Sequence, residues 1–325
     1  MERPRAELAI ILGPTAGGKT SLSLSLSKFI DCEIISADSM QIYREMDIGT
    51  DKIPRPLRDD PPHHLIDIIS PEEEFSVARY KELAREKISR ISGRGNLPVM
   101  VGGTGLYINS VIEDYLIPDM PAGGIREAFY KYADKWGRKR LHSHLEYIDP
   151  EYAARIHPND LKRVSRALEI YYMTGRTRTF YEFLQRRKPP RYRMVKIGVW
   201  RERSRLYSRI EDRVEEMFER GLLEEVEYLC ENYDLSLTAR QALGYKELFG
   251  YLEDEISLEE AKRLIKKRTR NLAKKQLTFF KRDSDIIWVN PDHRDNLQLS
   301  VELGRILQNN FLTLDSALNL DFRGI

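Results

Sequence analysis

The chain has two cysteines in 325 residues, Cys32 and Cys230. They are too few for a disulfide framework and lack metal-ligand spacing, which points to a reducing compartment. No apolar run approaches the roughly 20 residues that a membrane span needs. The opening MERPRAELAI passes from charged residues into a short apolar run and then glycine, without the core of a cleavable signal. These absences set aside the secreted and membrane classes and lead us to expect a cytoplasmic protein. Nothing in the sequence demands more than a monomer. Internal repeats and low-complexity segments are also missing. What is present is 41% apolar residues, enough to bury a core in one large domain or two smaller ones.

An excess of one charge sign is missing overall, with 53 Lys and Arg against 51 Asp and Glu, a net of +2. That sum hides an asymmetry. Residues 161–210 carry 15 basic and 3 acidic side chains, a net of +12 that leaves −10 for the rest. Such a block reads as a polyanion-binding surface. A second basic stretch, Lys262 to Arg282, holds ten Lys and Arg and no acid. Ser257 and Glu260 form a capping box before it. Ala261, Leu264, Ile265, Leu272, Ala273, Leu277 and Phe280 follow a helical period, so one face is apolar and another faces phosphate.

Short apolar runs at Leu8–Leu12, Glu33–Ser36 and Leu97–Val101 read as strands, separated by helical stretches at Ser21–Ile30 and Ser76–Ile91. This alternation predicts an α/β fold with a parallel sheet. Pro118 to Gly124 marks an exit from the sheet. Helices and loops then run to Arg187, Pro189-Pro190 closes them, and Met194–Trp200 is a return strand followed by a helix near Arg205–Arg220. The expected organisation is a P-loop NTPase-like core over 1–120 and 196–325, carrying a helical insertion over 121–195.

Gly13-Pro14-Thr15-Ala16-Gly17-Gly18-Lys19-Thr20 matches G-x-x-x-x-G-K-[ST] between a predicted strand and a predicted helix. Backbone N–H groups freed by the glycines converge on phosphate oxygens there, and the helix N-terminus adds its dipole. Lys19 contributes charge to the terminal phosphate and the Thr20 hydroxyl a ligand to Mg²⁺. Nucleotide-hydrolysing relatives of this loop end another strand in a metal-holding acid. Here that strand ends in Gly102-Gly103-Thr104-Gly105, with no carboxylate, and no guanine-reading N-K-x-D motif occurs. The second strand instead presents Asp38, either a metal-associated acid or a general base at the sheet edge. Thr104 either bonds a phosphate oxygen or caps its turn. His63 and His64, adjacent in extended chain, face opposite ways and suit a loop better than a metal site. His142 and His144 show no acid–base partner.

Several long blocks are similar to one known family: GPTAGGKT, ISADSMQIYREMDIGTDK, PHHLIDI, FSVARY, PVMVGGTGLYI, IHPNDLKRVSRALEI, QALGYKEL and RNLAKKQLTFFKR. The chain resembles the tRNA dimethylallyltransferases (tRNA isopentenyltransferases), which prenylate the adenosine just 3′ of the anticodon. The resemblance implies that the P-loop holds dimethylallyl diphosphate rather than ATP. It also implies that the insertion grips the anticodon stem-loop of tRNA, and that the target base is flipped out to meet the donor in a channel. On that reading Asp38 is the base that takes the N6 proton. Lys19, the loop amides and Mg²⁺ on Thr20 stabilise the leaving diphosphate, while Thr15 and Thr104 orient it. Asp38, Ser39, Met40 and Gln41 line the base-entry side, with Gln41 bonded to adenine. Lys162, Arg163, Arg166 and Arg126 contact RNA. Arg240, Gln241 and Arg270 lie near the channel in diphosphate or RNA roles. The competing reading is a small-molecule P-loop kinase with a basic lid. A prenyltransferase of free adenine nucleotides and a non-catalytic RNA-binding protein follow behind it.

Overall fold

In the computed structural model, the described residues are 6–113, 124–186, 190–293 and 296–311. Most of the expected sheet exit at 118–124, and Pro189, lie outside them. The chain divides into two compact units, Met1–Ile112 with Tyr192–Ile325, and Glu113–Arg191.

The first unit is α/β. Its strands are β1 (Glu7–Leu12), β2 (Cys32–Ala37), β3 (His63–His64), β4 (Leu97–Gly102), β5 (Arg193–Val199) and β6 (Ile286–Val289). They form one sheet in the order β3-β2-β4-β1-β5-β6. Every pairing is parallel. Helices α1 (Lys19–Leu26), α2 (Val77–Gly93) and α3 (Gly105–Ile112) follow β1, β3 and β4. The strands read as unbroken apolar runs because helices cover both faces. On β1, Leu8, Ile10 and Leu12 pack with Tyr80 and Ile88 of α2 and Ile108 of α3. Its alternate residues Ala9 and Ile11 pack on the other face with Leu22 and Leu26 of α1, and with Leu303 and Leu307 of a helix near the C-terminus. The period of two along a strand thus splits the core into two layers.

The second unit is helical: α4 (Ile125–Trp136), α5 (Arg138–Ile148), α6 (Pro150–Ala153), α7 (Leu161–Thr174) and α8 (Arg178–Arg186). Leu141, Leu145, Val164 and Leu168 centre its core. His142 is buried there, its Nε2 facing the carbonyls of Ala153 and Ile156 at 3.2 and 3.0 Å, and so acts as a structural donor. His144 Nε2 lies 2.7 Å from the Tyr172 hydroxyl.

Helices α9 (Arg203–Glu219), α10 (Leu222–Asn232), α11 (Leu237–Arg240), α12 (Tyr245–Leu252), α13 (Leu258–Phe280) and α14 (Asn296–Asn310) complete the first unit. Residues of α9 to α13 bury Ile42, Tyr43 and Met46 in a third apolar cluster, which fixes the loop after β2. Two charged groups finish that loop. Lys52 is buried with its amine on the Tyr43 carbonyl, Asp47 and Asp67. Glu225 accepts from the backbone N–H groups of Asp47, Ile48 and Gly49 at 2.9, 2.7 and 3.0 Å and from the Tyr245 hydroxyl at 2.6 Å.

Four local expectations change. Helix α1 starts at Lys19 rather than Ser21, because Gly18 takes a left-handed φ of 102° as its N-cap, and it ends at Leu26. His63 and His64 form a short edge strand, drawn into extended backbone by pairing with Ile34 and Ile35 of β2. The capping box before α13 is half made. The Ser257 hydroxyl accepts from Glu260 N at 3.2 Å, while the Glu260 carboxylate turns to Arg263. Helix α3, strand β6 and helix α14 were not foreseen from the sequence pattern.

Replacing Glu225 by Ala strands three backbone donors and a buried phenol, so it should cost at least about 2 kcal/mol of stability. Urea denaturation of the variant measures this, and an unchanged midpoint would show that the loop is held by other contacts.

Candidate active site

Because the strands run one way, the loops leaving β1, β2, β4 and β5 emerge at a single sheet edge. The loops after β1, β2 and β4, with α9 and α13, surround a cavity of about 430 Å³ whose lining includes Thr15–Thr20, Asp38, Met40, Gln41, Gly103, Arg213 and Gln276. The phosphate loop follows β1, and Asp38 follows β2. Asp38 turns one carboxylate oxygen back to Met40 N at 2.9 Å. Thr104, after β4, bonds Ala37 O through its N–H at 3.1 Å and accepts from Ser39 N at 3.2 Å through Oγ1. Thr104 therefore holds the segment bearing Asp38.

The phosphate loop is tied down mainly through its carbonyls, which leaves most of its N–H groups for a ligand. Arg201 Nε donates to Gly17 O at 2.9 Å, Arg209 Nε to Ala16 O at 3.1 Å, and Lys19 Nζ to Pro14 O at 2.7 Å. Arg213 donates to Thr15 Oγ1 at 3.1 Å and pairs with Asp51 at 2.7 Å. Its Nε is buried without a partner among the described residues. Gln276 of α13 bridges two loops, accepting from Thr15 N at 2.9 Å and donating to Gly103 O at 3.1 Å. Gly103 must be glycine for this approach, since a Cβ there would collide with the Gln276 amide. Burial pushes the Lys19 amine down to about 8; Asp38 and Asp51 pull it upward and Arg213 pushes it further down. This geometry suits a strongly anionic group at the loop with a carboxylate facing it.

Residues 41–283 match the family model described as IPP transferase, and residues 6–58 a second described as isopentenyl transferase. A tRNA dimethylallyltransferase of Halothermothrix orenii is 51% identical over 301 residues, 92% of each chain. The chain belongs to the tRNA dimethylallyltransferase family. Its fold agrees with that of a full-length tRNA isopentenylpyrophosphate transferase from Bacillus halodurans, at 40% identity and a TM-score of 0.70 over 94% of this chain and 98% of that one. A eukaryotic dimethylallyltransferase acting on tRNA aligns at 27% identity with a TM-score of 0.80, over 94% of this chain and 80% of that one.

Among the residues singled out from the sequence of this dimethylallyltransferase family member, Thr15 to Thr20, Asp38, Met40 and Gln41 share the cavity. Gly13, Pro14, Ser39 and Thr104 belong to the loops that frame it. The Gln41 amide is already engaged, accepting from Ser36 Oγ at 2.9 Å and donating to Thr50 O at 3.3 Å. The bond from Gln41 to adenine that the resemblance implies would compete with those two. Arg240, Gln241 and Arg270 are not in the lining: Arg240 pairs with Glu253 at 3.2 Å, and Arg270 with Glu211. In the helical unit, Arg126 and Arg166 flank the buried Glu169 at 2.6 and 2.7 Å, Arg163 pairs with Asp160 at 2.8 Å, and Lys162 is exposed. Gln276, Arg209 and Arg213 escaped the sequence reading. The one signal for the arginines was spacing, Arg205, Arg209 and Arg213 standing four apart on α9, while Gln276 is one of two amides, with Asn271, within the basic stretch of α13.

The depressed Lys19 amine makes ligand binding pH-dependent. A bound polyanion raises that pKa, so binding takes up a proton between about pH 8 and the higher value of the complex. Affinity for inorganic diphosphate should fall as pH rises through 8. Calorimetry in buffers of different ionisation enthalpy should show proton uptake, and pH-independent binding without uptake would contradict the assignment.

Proposed function

We propose that this protein transfers the dimethylallyl group of dimethylallyl diphosphate to N6 of the adenosine 3′-adjacent to the anticodon of tRNA, with release of diphosphate. The observation that carries the reading is that Lys19 with its amide loop and Asp38 line one cavity. Prenyl transfer separates charge in just this sense. The carbon–oxygen bond to diphosphate breaks, and negative charge grows on the leaving group. The N6–carbon bond forms, and the nitrogen sheds a proton.

Each group has a task. The loop amides and Lys19 receive the diphosphate, and Arg213 on the cavity lining adds positive charge beside them. Thr15 and Thr104 orient the phosphate. Adenine N6 is a poor nucleophile because its lone pair is delocalised into the ring. Asp38 accepts the N6 proton as the bond forms and later passes it to water. Asp38 to Gln41 form the side on which the base enters. Thr20, exposed at the first turn of α1, would hold a Mg²⁺ through its hydroxyl beside the diphosphate. Among the described residues no cluster of three His, Cys, Asp or Glu offers a protein-only cage. When bound, Mg²⁺ supplies neutralisation of the diphosphate charge.

The helical unit, with Lys162, Arg163, Arg166 and Arg126, is read as the tRNA-gripping insertion, and Arg240, Gln241 and Arg270 as support from the core. The work is that of a cytoplasmic monomer. No helix among the described residues is long and apolar enough to cross a membrane.

The test uses purified protein, Mg²⁺ and an unmodified anticodon stem-loop, with dimethylallyl diphosphate in one reaction and ATP in another. Mass spectrometry of the digested nucleosides should find prenylated adenosine in the first alone; ATP consumption with unaltered RNA would restore the kinase reading. In the same assay Asp38→Ala should lower turnover by about 10²–10⁴-fold with tRNA affinity nearly intact. Loss of tRNA binding in its place would remove Asp38 from the role of base.

A further inference from the structure

Besides Asp38, the loop after β2 brings another carboxylate to the cavity wall, Asp51, which has no part in the reaction as described. Its backbone takes a left-handed φ of 49°. The surrounding chain holds it there. Asp51 N donates to Ile48 O at 3.0 Å, and Glu225 binds the N–H groups of Asp47, Ile48 and Gly49. The next residue, Lys52, is buried on Tyr43 O, Asp47 and Asp67. By charge alone, an acid on the wall of a site for a polyanion works against the ligand. The Lys19 amine, driven down by burial, is drawn upward by Asp38 and Asp51, so the charge of Asp51 reaches the phosphate loop.

Its partners explain the placement. One Asp51 oxygen lies 2.7 Å from Arg213 Nη2, and the other lies 3.6 Å from Arg220 Nη1. Arg213 Nη1 in turn donates to the Thr15 hydroxyl of the phosphate loop at 3.1 Å. Among the described residues no other acid pairs with Arg213. A long arginine side chain held through one nitrogen still swings, and ordering it on binding costs affinity. Gripped at both terminal nitrogens, the Arg213 guanidinium is set in place before a ligand arrives.

We propose that Asp51 is a positioning residue for the prenyl donor, holding the Arg213 guanidinium against Thr15 so that its charge stands ready beside the phosphate loop. The proposal rests on the reading of the cavity as the diphosphate site and adds the residue that fixes one of its charges. Asp51 acts through Arg213 and not on the reacting atoms or the RNA.

Charge and geometry predict opposite signs for removal of this carboxylate. Asp51→Gly deletes it and accepts the left-handed backbone, while Asp51→Asn tolerates that backbone and keeps an acceptor for the guanidinium. Calorimetry with inorganic diphosphate should show affinity lower by roughly tenfold for the glycine variant, with asparagine recovering part of the loss. In an Arg213→Ala background the same Asp51→Gly change should cost nothing further. In turnover assays KM for dimethylallyl diphosphate should rise while KM for tRNA holds, a split that general loosening of the loop would not produce. Unchanged or stronger diphosphate binding by Asp51→Gly would overturn the proposal, as would an equal loss with and without Arg213. If wild type binds diphosphate but forms no prenylated adenosine, the reading of the reaction fails while the double-mutant comparison still decides Asp51.

Discussion

Two hydrogen bonds from one side chain hold the candidate site in register. Gln276 accepts from the first free amide of the phosphate loop and donates to the turn after β4. That turn carries Thr104, which in turn holds Ser39 beside Asp38. The anion cradle and the carboxylate sit on different strands, and α13 is where their loops meet. Strand pairing alone sets the sheet edge; the separation of the two reacting groups depends on this cross-tie. The glycines of GGTG make room for it, since side chains at Gly103 and Gly105 would collide with Gln276 and Phe279.

Electrostatics around the loop follow from its burial. An amine withdrawn from water loses part of its charge preference, and Lys19 lies near pH 8 for that reason. A bound diphosphate reverses the balance. Arg209 of α9 and Arg201 engage loop carbonyls and leave most N–H groups for a ligand, the arrangement that stabilises charge without reorganisation during reaction. Binding and chemistry draw on the same preorganised donors.

Much of this was legible in the sequence because local geometry demands particular residues. A loop whose amides must converge needs glycine at fixed positions, and its lysine and threonine follow by spacing. Asp38 was readable because it ends an apolar strand whose neighbours end without acids. What stayed hidden was tertiary. Gln276 meets Thr15 from 261 positions away, and no local pattern encodes that approach. The ten cations between Lys262 and Arg282 looked alike in sequence, yet Glu211, Glu215 and Glu247 neutralise three of them from other helices. Arg270, singled out for the channel, is one of those three. His63 and His64 read as a loop because a two-residue edge strand leaves no periodic trace.

The claim at the centre of this account is that a diphosphate cradle and a proton-accepting carboxylate face each other across one cavity. A crystal structure with an unreactive thiolo analogue of dimethylallyl diphosphate and an unmodified anticodon stem-loop addresses it directly. The account predicts diphosphate oxygens on the amides of Ala16, Gly18, Lys19 and Thr20 and on the Lys19 amine, with adenine N6 about 2.6–3.2 Å from an Asp38 oxygen. An adenine held away from Asp38, with that carboxylate turned to a metal ion beside the diphosphate, would contradict it.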